Sequence, residues 1–159
     1  MQTKKISYLL VVSVAAIMFS ACKPAVQFDQ PPEIRYGEDV CEACNMIISE
    51  ARFAAAYYTE SGEVRRFDGV GELCRYYLEH QEEVETIWVH DYQTEEWLLA
   101  DQAYYIISQL LQTPMGNSAV AIGDQARAEQ LASQVGSEVM DFAGILDHYR
   151  MAEGEAHNH

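Results

Sequence analysis

Apolar positions along the chain fall into two patterns repeated in the same order. From Arg52 to Thr59 the run Arg-Phe-Ala-Ala-Ala-Tyr-Tyr-Thr predicts a strand, Ser61-Gly62 a turn, and Val64 to Phe67 a returning strand, which together make a hairpin. Asp68-Gly69-Val70-Gly71 breaks it. Leu73, Tyr76, Tyr77 and His80 then recur at spacings of three and four, predicting a helix from about Gly71 to His80. Ile87 to Val89 predicts a short strand, and the polar 93–96 connector leads to Trp97 and Leu98. A second set follows. Ala103 to Leu111 is apolar and β-rich, Thr113 to Asn117 is a turn, and Ala119 to Ile122 is another strand. Asp124 predicts the N-cap of a helix containing Ala126, Ala128, Leu131 and Ala132, closed by Gly136, and Val139 to Phe142 predicts a last strand. Both halves therefore read strand, turn, strand, helix, strand. The expected class is α+β: two small related ββαβ units, 38–98 and 99–150, in one compact domain, with a polar, frayed tail at 151–159.

The first two dozen residues carry a different pattern. Lys4 and Lys5 precede an apolar run from about Ile6 to Phe19, and Ser20-Ala21-Cys22 follows. A basic start, a short apolar stretch and small residues before a cleavage point describe a secretory signal peptide, here 1–21. The run is too short for a comfortable transmembrane helix, which needs about 20 apolar residues. Phe-Ser-Ala-Cys22 resembles a bacterial lipobox, so Cys22 is expected to be acylated and to anchor the chain to a membrane. Each buried CH₂ of such an anchor contributes about 0.8 kcal/mol. Residues 22–37, with Pro24, Pro31 and Pro32, read as a flexible tether. Lys23 rather than Asp after the cysteine favours the outer membrane, by similarity to bacterial lipoprotein sorting.

Removing the leader leaves about 138 residues, enough for one ordinary domain. The formal charge of −15 would repel nucleic acid and anionic lipid headgroups, so no nucleic-acid partner is expected. With Cys22 lipidated, Cys41, Cys44 and Cys74 remain. An odd count in an exported protein leaves at least one thiol unpaired. In an oxidising compartment such a thiol is lost to disulfides unless burial or a metal protects it.

Cys41-Glu-Ala-Cys44-Asn-Met46 is the segment that asks for a chemical explanation. Thiolate and thioether are soft donors that select Cu(I) over hard cations. If 44–46 is extended, Cys44 and Met46 project to one side and both sulfurs can face one ion, with Cys41 approaching from a turn. Met115, in an exposed-looking Thr-Pro-Met-Gly turn, and His90 are further candidate ligands. Cys74 lies on the apolar face of the predicted helix and reads as core. His80, His157 and His159 are weaker candidates. Other readings stay open. A zinc site would need a second Cys pair, and a thiol–disulfide oxidoreductase would use Cys41 and Cys44. No nucleophile elbow, His-Glu-x-x-His or phosphate loop occurs, so catalysis is not expected.

Taken in order, several segments together resemble the NosL family of copper-binding lipoproteins, accessory to nitrous oxide reductase maturation. They are Cys41 to Ile48, Arg52-Phe-Ala-Ala, Phe67 to Gly71, Val89 to Tyr92, Glu96-Trp97, Ala103 to Tyr105, Thr113 to Gly116, and Gly136 to Phe142. The resemblance implies a lipid-anchored periplasmic Cu(I) chaperone built from two ββαβ units, with Cys44 and Met46 as the family's Cys-x-Met pair. It implies delivery of copper to the nitrous oxide reductase maturation proteins. One position departs: the family has Gly where this chain has Asn45. Asn tolerates left-handed backbone angles better than most residues, so the turn is expected to survive.

Overall fold

A computed structural model describes residues 26–116 and 119–156. Cys22, the leader and the two terminal histidines lie outside the described residues. The first sheet begins with β1 (Ala55–Thr59), which turns at Gly62 (φ 85°) into β2 (Val64–Phe67). Ala55 opposes Phe67 and Tyr58 opposes Val64 in this hairpin. Helix α1 (Val70–His80) follows, with Val70, Leu73 and Cys74 buried and Gln81 in the left-handed region as its C-cap. Strand β3 (Val84–His90) returns antiparallel to β1, and β4 (Trp97–Leu99) pairs with β3. The strand order is β2-β1-β3-β4.

The second unit repeats this path. β5 (Tyr104–Ile107) pairs with β6 (Ala119–Ile122), helix α2 (Gln125–Val135) crosses, and β7 (Val139–Met140) pairs on the other side of β5. The order β6-β5-β7 matches β2-β1-β3, so the repeat read from the pattern is present as topology. Asp124 caps α2 by accepting the Arg127 N–H at 2.9 Å, and Gly136 ends it at φ 64°. These are the start and stop signals that the sequence carries.

Three elements differ from expectation. The first strand starts only at Ala55, because Ala51–Phe53 forms a 3₁₀ turn. The strand expected through Leu111 stops at Ile107. There the Ser108 hydroxyl donates to Val135 O and accepts the Leu110 N–H, curling the chain out of the sheet. The strand expected at 139–142 stops at Met140. Asp141 then accepts the Gly144 N–H at 2.8 Å, and helix α3 (Phe142–Ala156) runs through most of the expected frayed tail. Ile145 and Tyr149, four apart on α3, are buried. Arg75 of α1 lies over the Tyr149 ring, 5.5 Å from its centroid.

Residues 26–36, read as part of a free tether, lie against the first unit. Phe28 meets Tyr58 edge-on at 5.5 Å, Ile34 is buried, and Arg66 Nε donates to Glu33 O at 2.8 Å. A main core joins Tyr57, Phe67, Leu73 and Val89 of the first unit to Tyr105, Ala121 and Ile145 of the second. A smaller one lies under α2 around Ile106, Val120 and Ile122. Burial of this apolar surface, shared between the units, is the main stabilising contribution, at about 25 cal/mol per Å².

The units are also pinned by one carboxylate. Asp91, 1% exposed, accepts the Gln93 and Thr94 N–H groups on Oδ1 and the Gly123 N–H on Oδ2. Arg127 of α2 reaches both oxygens, at 3.3 and 2.9 Å. Burial alone would raise the Asp91 pKa. The hydrogen bonds from Gly123, Arg127, Thr94 and Gln93 outweigh it and hold the carboxylate below its ordinary value.

Candidate metal centre

The Cys-x-x-Cys-x-Met segment sits on a small hairpin before β1. Gly37 N–H donates to Ile48 O at 2.8 Å, Ile48 N–H to Asp39 O at 2.9 Å, and Cys41 N–H to Met46 O at 2.8 Å. Val40 and Ile47 form an antiparallel bridge. Asp39 fixes the base by accepting the Arg35 N–H and guanidinium, and Arg66 Nε lies 3.4 Å away. Glu42 N–H donates to Arg66 O at 2.9 Å and docks the tip against β2.

Cys44-Asn45-Met46 is not the extended stretch considered from the sequence. Residues 42–44 form a turn, Asn45 N–H donates to Cys41 O at 2.9 Å, and Asn45 takes φ 59°. The departure from Gly is therefore accommodated by a residue that tolerates this region. The turn folds the chain at Cys44 back toward Cys41. Both are free.

The three sulfurs differ in access. Cys41 is fully buried, Cys44 is half-buried, and Met46 is 50% exposed. Burial pushes the Cys41 thiol up to about 11. The Asp68, Cys44 and Ala43 N–H groups aimed at its sulfur pull the other way without prevailing. Met46 is not sealed into the core: it is half exposed, two residues along from the half-buried Cys44.

The remaining candidates are placed elsewhere. His90 is 3% exposed, with Nδ1 3.0 Å from Ala54 O and Nε2 3.2 Å from the Tyr36 hydroxyl. A carbonyl can only accept, so Nδ1 carries the proton and Nε2 accepts from Tyr36. Burial holds the His90 pKa below its ordinary value. Both ring nitrogens of the expected ligand His90 are thus engaged within the protein, and Trp97 packs on the ring at 3.6 Å. Met115 is 37% exposed on a turn closed by Gly116 N–H to Thr113 O at 3.0 Å. Thr113 and Pro114 border a cleft with Glu50, Arg52, Phe53 and Tyr92. His80 stacks on Tyr76 at 3.7 Å, and Cys74 is buried core as expected. Among the described residues, no group of three or more His, Cys, Asp or Glu is arranged to hold a metal ion.

Sequence reasoning read Asp68 only as a strand breaker. Its N–H points at the Cys41 sulfur, and its carboxyl group is 2% exposed. Burial pushes this carboxyl up to about 6 against the Ser49 N–H that lowers it, with Glu72 and Glu50 adding to the rise. Oδ1 has no hydrogen-bond partner. The one sequence signal was its place in Phe67-Asp68-Gly69, a segment quoted for the resemblance.

A family model described as NosL matches residues 34–149, well over half of the chain. This chain belongs to the NosL family. The match covers the hairpin, both ββαβ units and α3 as far as Tyr149. The crystal structure of the copper chaperone NosL from Shewanella denitrificans superposes on this NosL-family chain with a TM-score of 0.65. The two are 21% identical over 72% of this chain and 93% of that one, which establishes a common fold. No curated protein matches the sequence.

Proposed function

We propose that this protein is a copper chaperone of the bacterial cell envelope. It holds Cu(I) between Cys44 and Met46, with Cys41 behind them, and passes it to the nitrous oxide reductase maturation proteins. The observation that carries the reading is a half-buried cysteine and a half-exposed methionine on either side of left-handed Asn45, neither closed into the core. Membership of the NosL family and the fold shared with a copper chaperone support it. Soft sulfur donors in low coordination suit Cu(I), and donors at the surface suit exchange with a partner's ligands. Binding displaces the thiol proton, so uptake is favoured by rising pH.

The anchor in this proposal is acylated Cys22, with Lys23 favouring the outer membrane, on the periplasmic side. Among the described residues no helix is long and apolar enough to cross a membrane. In this reading the protein is not an enzyme.

Anaerobic competition titration of the reduced protein with a chromophoric Cu(I) chelator tests the proposal. About one Cu(I) per chain is expected. Cys44→Ala should abolish binding, and Met46→Ala should weaken it by at least about tenfold, or about 1.4 kcal/mol. A Met46→Ala protein that binds as tightly as wild type overturns the assignment.

A further inference from the structure

The copper reading uses the sulfur pair as ligands. The same turn gives it a second chemical state. Cys41 and Cys44 are three residues apart across a single turn closed by Asn45 N–H to Cys41 O at 2.9 Å, which brings their backbones close enough for a disulfide to span. Both are free thiols. The third cysteine of the described residues, Cys74, is buried in the core away from solvent. Of these thiols, Cys44 is the one that a reagent in solution meets first.

We propose that Cys41 and Cys44 are a disulfide-forming site that reacts with an external disulfide and, once oxidised, cannot hold copper. In the first step Cys44, as thiolate, attacks one sulfur of the disulfide R–S–S–R and expels one RS⁻. A mixed disulfide with Cys44 remains. In the second step Cys41 gives up its proton and attacks the Cys44 sulfur, expelling the second RS⁻. The two displaced thiolates take up the two protons. The two cysteines are thus oxidised by two electrons to one disulfide, and R–S–S–R is reduced to two RSH. Only the Met46 thioether is then left as a soft donor on the hairpin. Conversely, a bound Cu(I) occupies the Cys44 sulfur and shields it from attack, so metal and disulfide exclude each other. This part of the proposal rests on the copper-site reading; formation of the disulfide does not.

The test poises the protein in buffers of reduced and oxidised glutathione, quenches with a maleimide and reads the adducts by mass spectrometry. The expected product is an internal Cys41–Cys44 disulfide, with Cys74 still a thiol. Cys41→Ser should instead accumulate the mixed disulfide of Cys44 with glutathione, because the second attack is missing. The oxidised wild type should lose Cu(I) affinity by at least about tenfold, regained on treatment with a thiol reductant. Thiols that persist in oxidised glutathione, or a wild type that stops at the glutathione adduct, overturn the proposal. So does an oxidised protein that binds Cu(I) like the reduced one. A reduced protein that takes up no Cu(I) fails the chaperone reading instead, while the mass measurement, made without copper, still decides whether the disulfide forms.

Discussion

Around Asp91 the chain gathers hydrogen-bond donors: the Gln93, Thr94 and Gly123 N–H groups and the Arg127 guanidinium all converge on one carboxylate. Around Cys41 and Cys44 a short hairpin is held by backbone bonds and, at its base, by Asp39, and it leaves Met46 half in solvent. The first region joins the two units, and its groups are fully used by one another. The second faces outward and keeps donors in reserve. A fold that concentrates polar satisfaction at its junction can carry sulfurs on a hairpin that packs Cys41 and Ile48 into the core and leaves Met46 open. The shared topology of the two sheets makes the same point. The second unit has a β5-β6-α2-β7 frame like the first, but the Cys-x-x-Cys-x-Met hairpin precedes only β1.

The hardest blow to this contrast is Asp91→Ala. It strips partners from the Gln93, Thr94 and Gly123 N–H groups and from Arg127, and a broken network around a buried carboxylate costs about 3 kcal/mol or more. Urea denaturation should show a large fall in midpoint. Cu(I) affinity of the protein that remains folded should be unchanged, because no sulfur touches Asp91. If affinity falls in step with stability, junction and hairpin are not separable.

Asp68 tests the contrast from the other side, since it is a buried carboxyl group that lacks the partners given to Asp91. Its folded pKa is about 6 against an ordinary 3.8. Below about pH 4 it is protonated in both states and costs nothing. Between about 4 and 6 the folded state holds the extra proton, so its contribution to stability falls as pH rises, and above 6 the full penalty remains. Asp68→Asn should therefore stabilise the protein at pH 7 by about 1–2 kcal/mol and by nothing at pH 4. Thermal melts at the two pH values decide it. An equal effect at both would mean that the carboxyl group is not held up by burial.

Much of this scaffold is legible in the sequence because its signals are local. Asp124 and Gly136 bracket α2, the three- and four-residue spacing of Leu73, Tyr76, Tyr77 and His80 marks α1, and β2 and β6 begin and end where the apolar runs do. Helix α3 was hidden because its capping Asp141 follows directly on the β-rich Val139-Met140, so that the cap reads as part of a strand. The roles of Asp91 and Asp68 depend on partners 32 residues away at Gly123 and 19 away at Ser49, and no periodicity encodes such meetings. The candidate site was legible as a set of sulfurs but not as a shape. Donor chemistry is a property of residue type, whereas the accessibility of Met46 and the closure of both His90 nitrogens arise only when the hairpin and β3 are packed.

The smallest expected effect lies at the turn between Cys44 and Met46. Asn45 sits at φ 59°. Asn is among the few side chains that occupy this region readily, and Gly occupies it freely but loses more entropy on folding. The two terms oppose each other, so Asn45→Gly should change stability by no more than about 0.5 kcal/mol and leave Cu(I) affinity unaltered. Asn45→Val places a β-branched residue where left-handed angles cost about 1–2 kcal/mol. If the tip of the hairpin at 42–46 is separable from the junction, it can relieve that strain by opening locally. Valine should then lower Cu(I) affinity, because Cys44 and Met46 flank it, with less change in the urea midpoint than its strain implies. A full loss of stability with affinity retained would mean instead that the hairpin is rigidly part of the core and that the contrast with the junction is false.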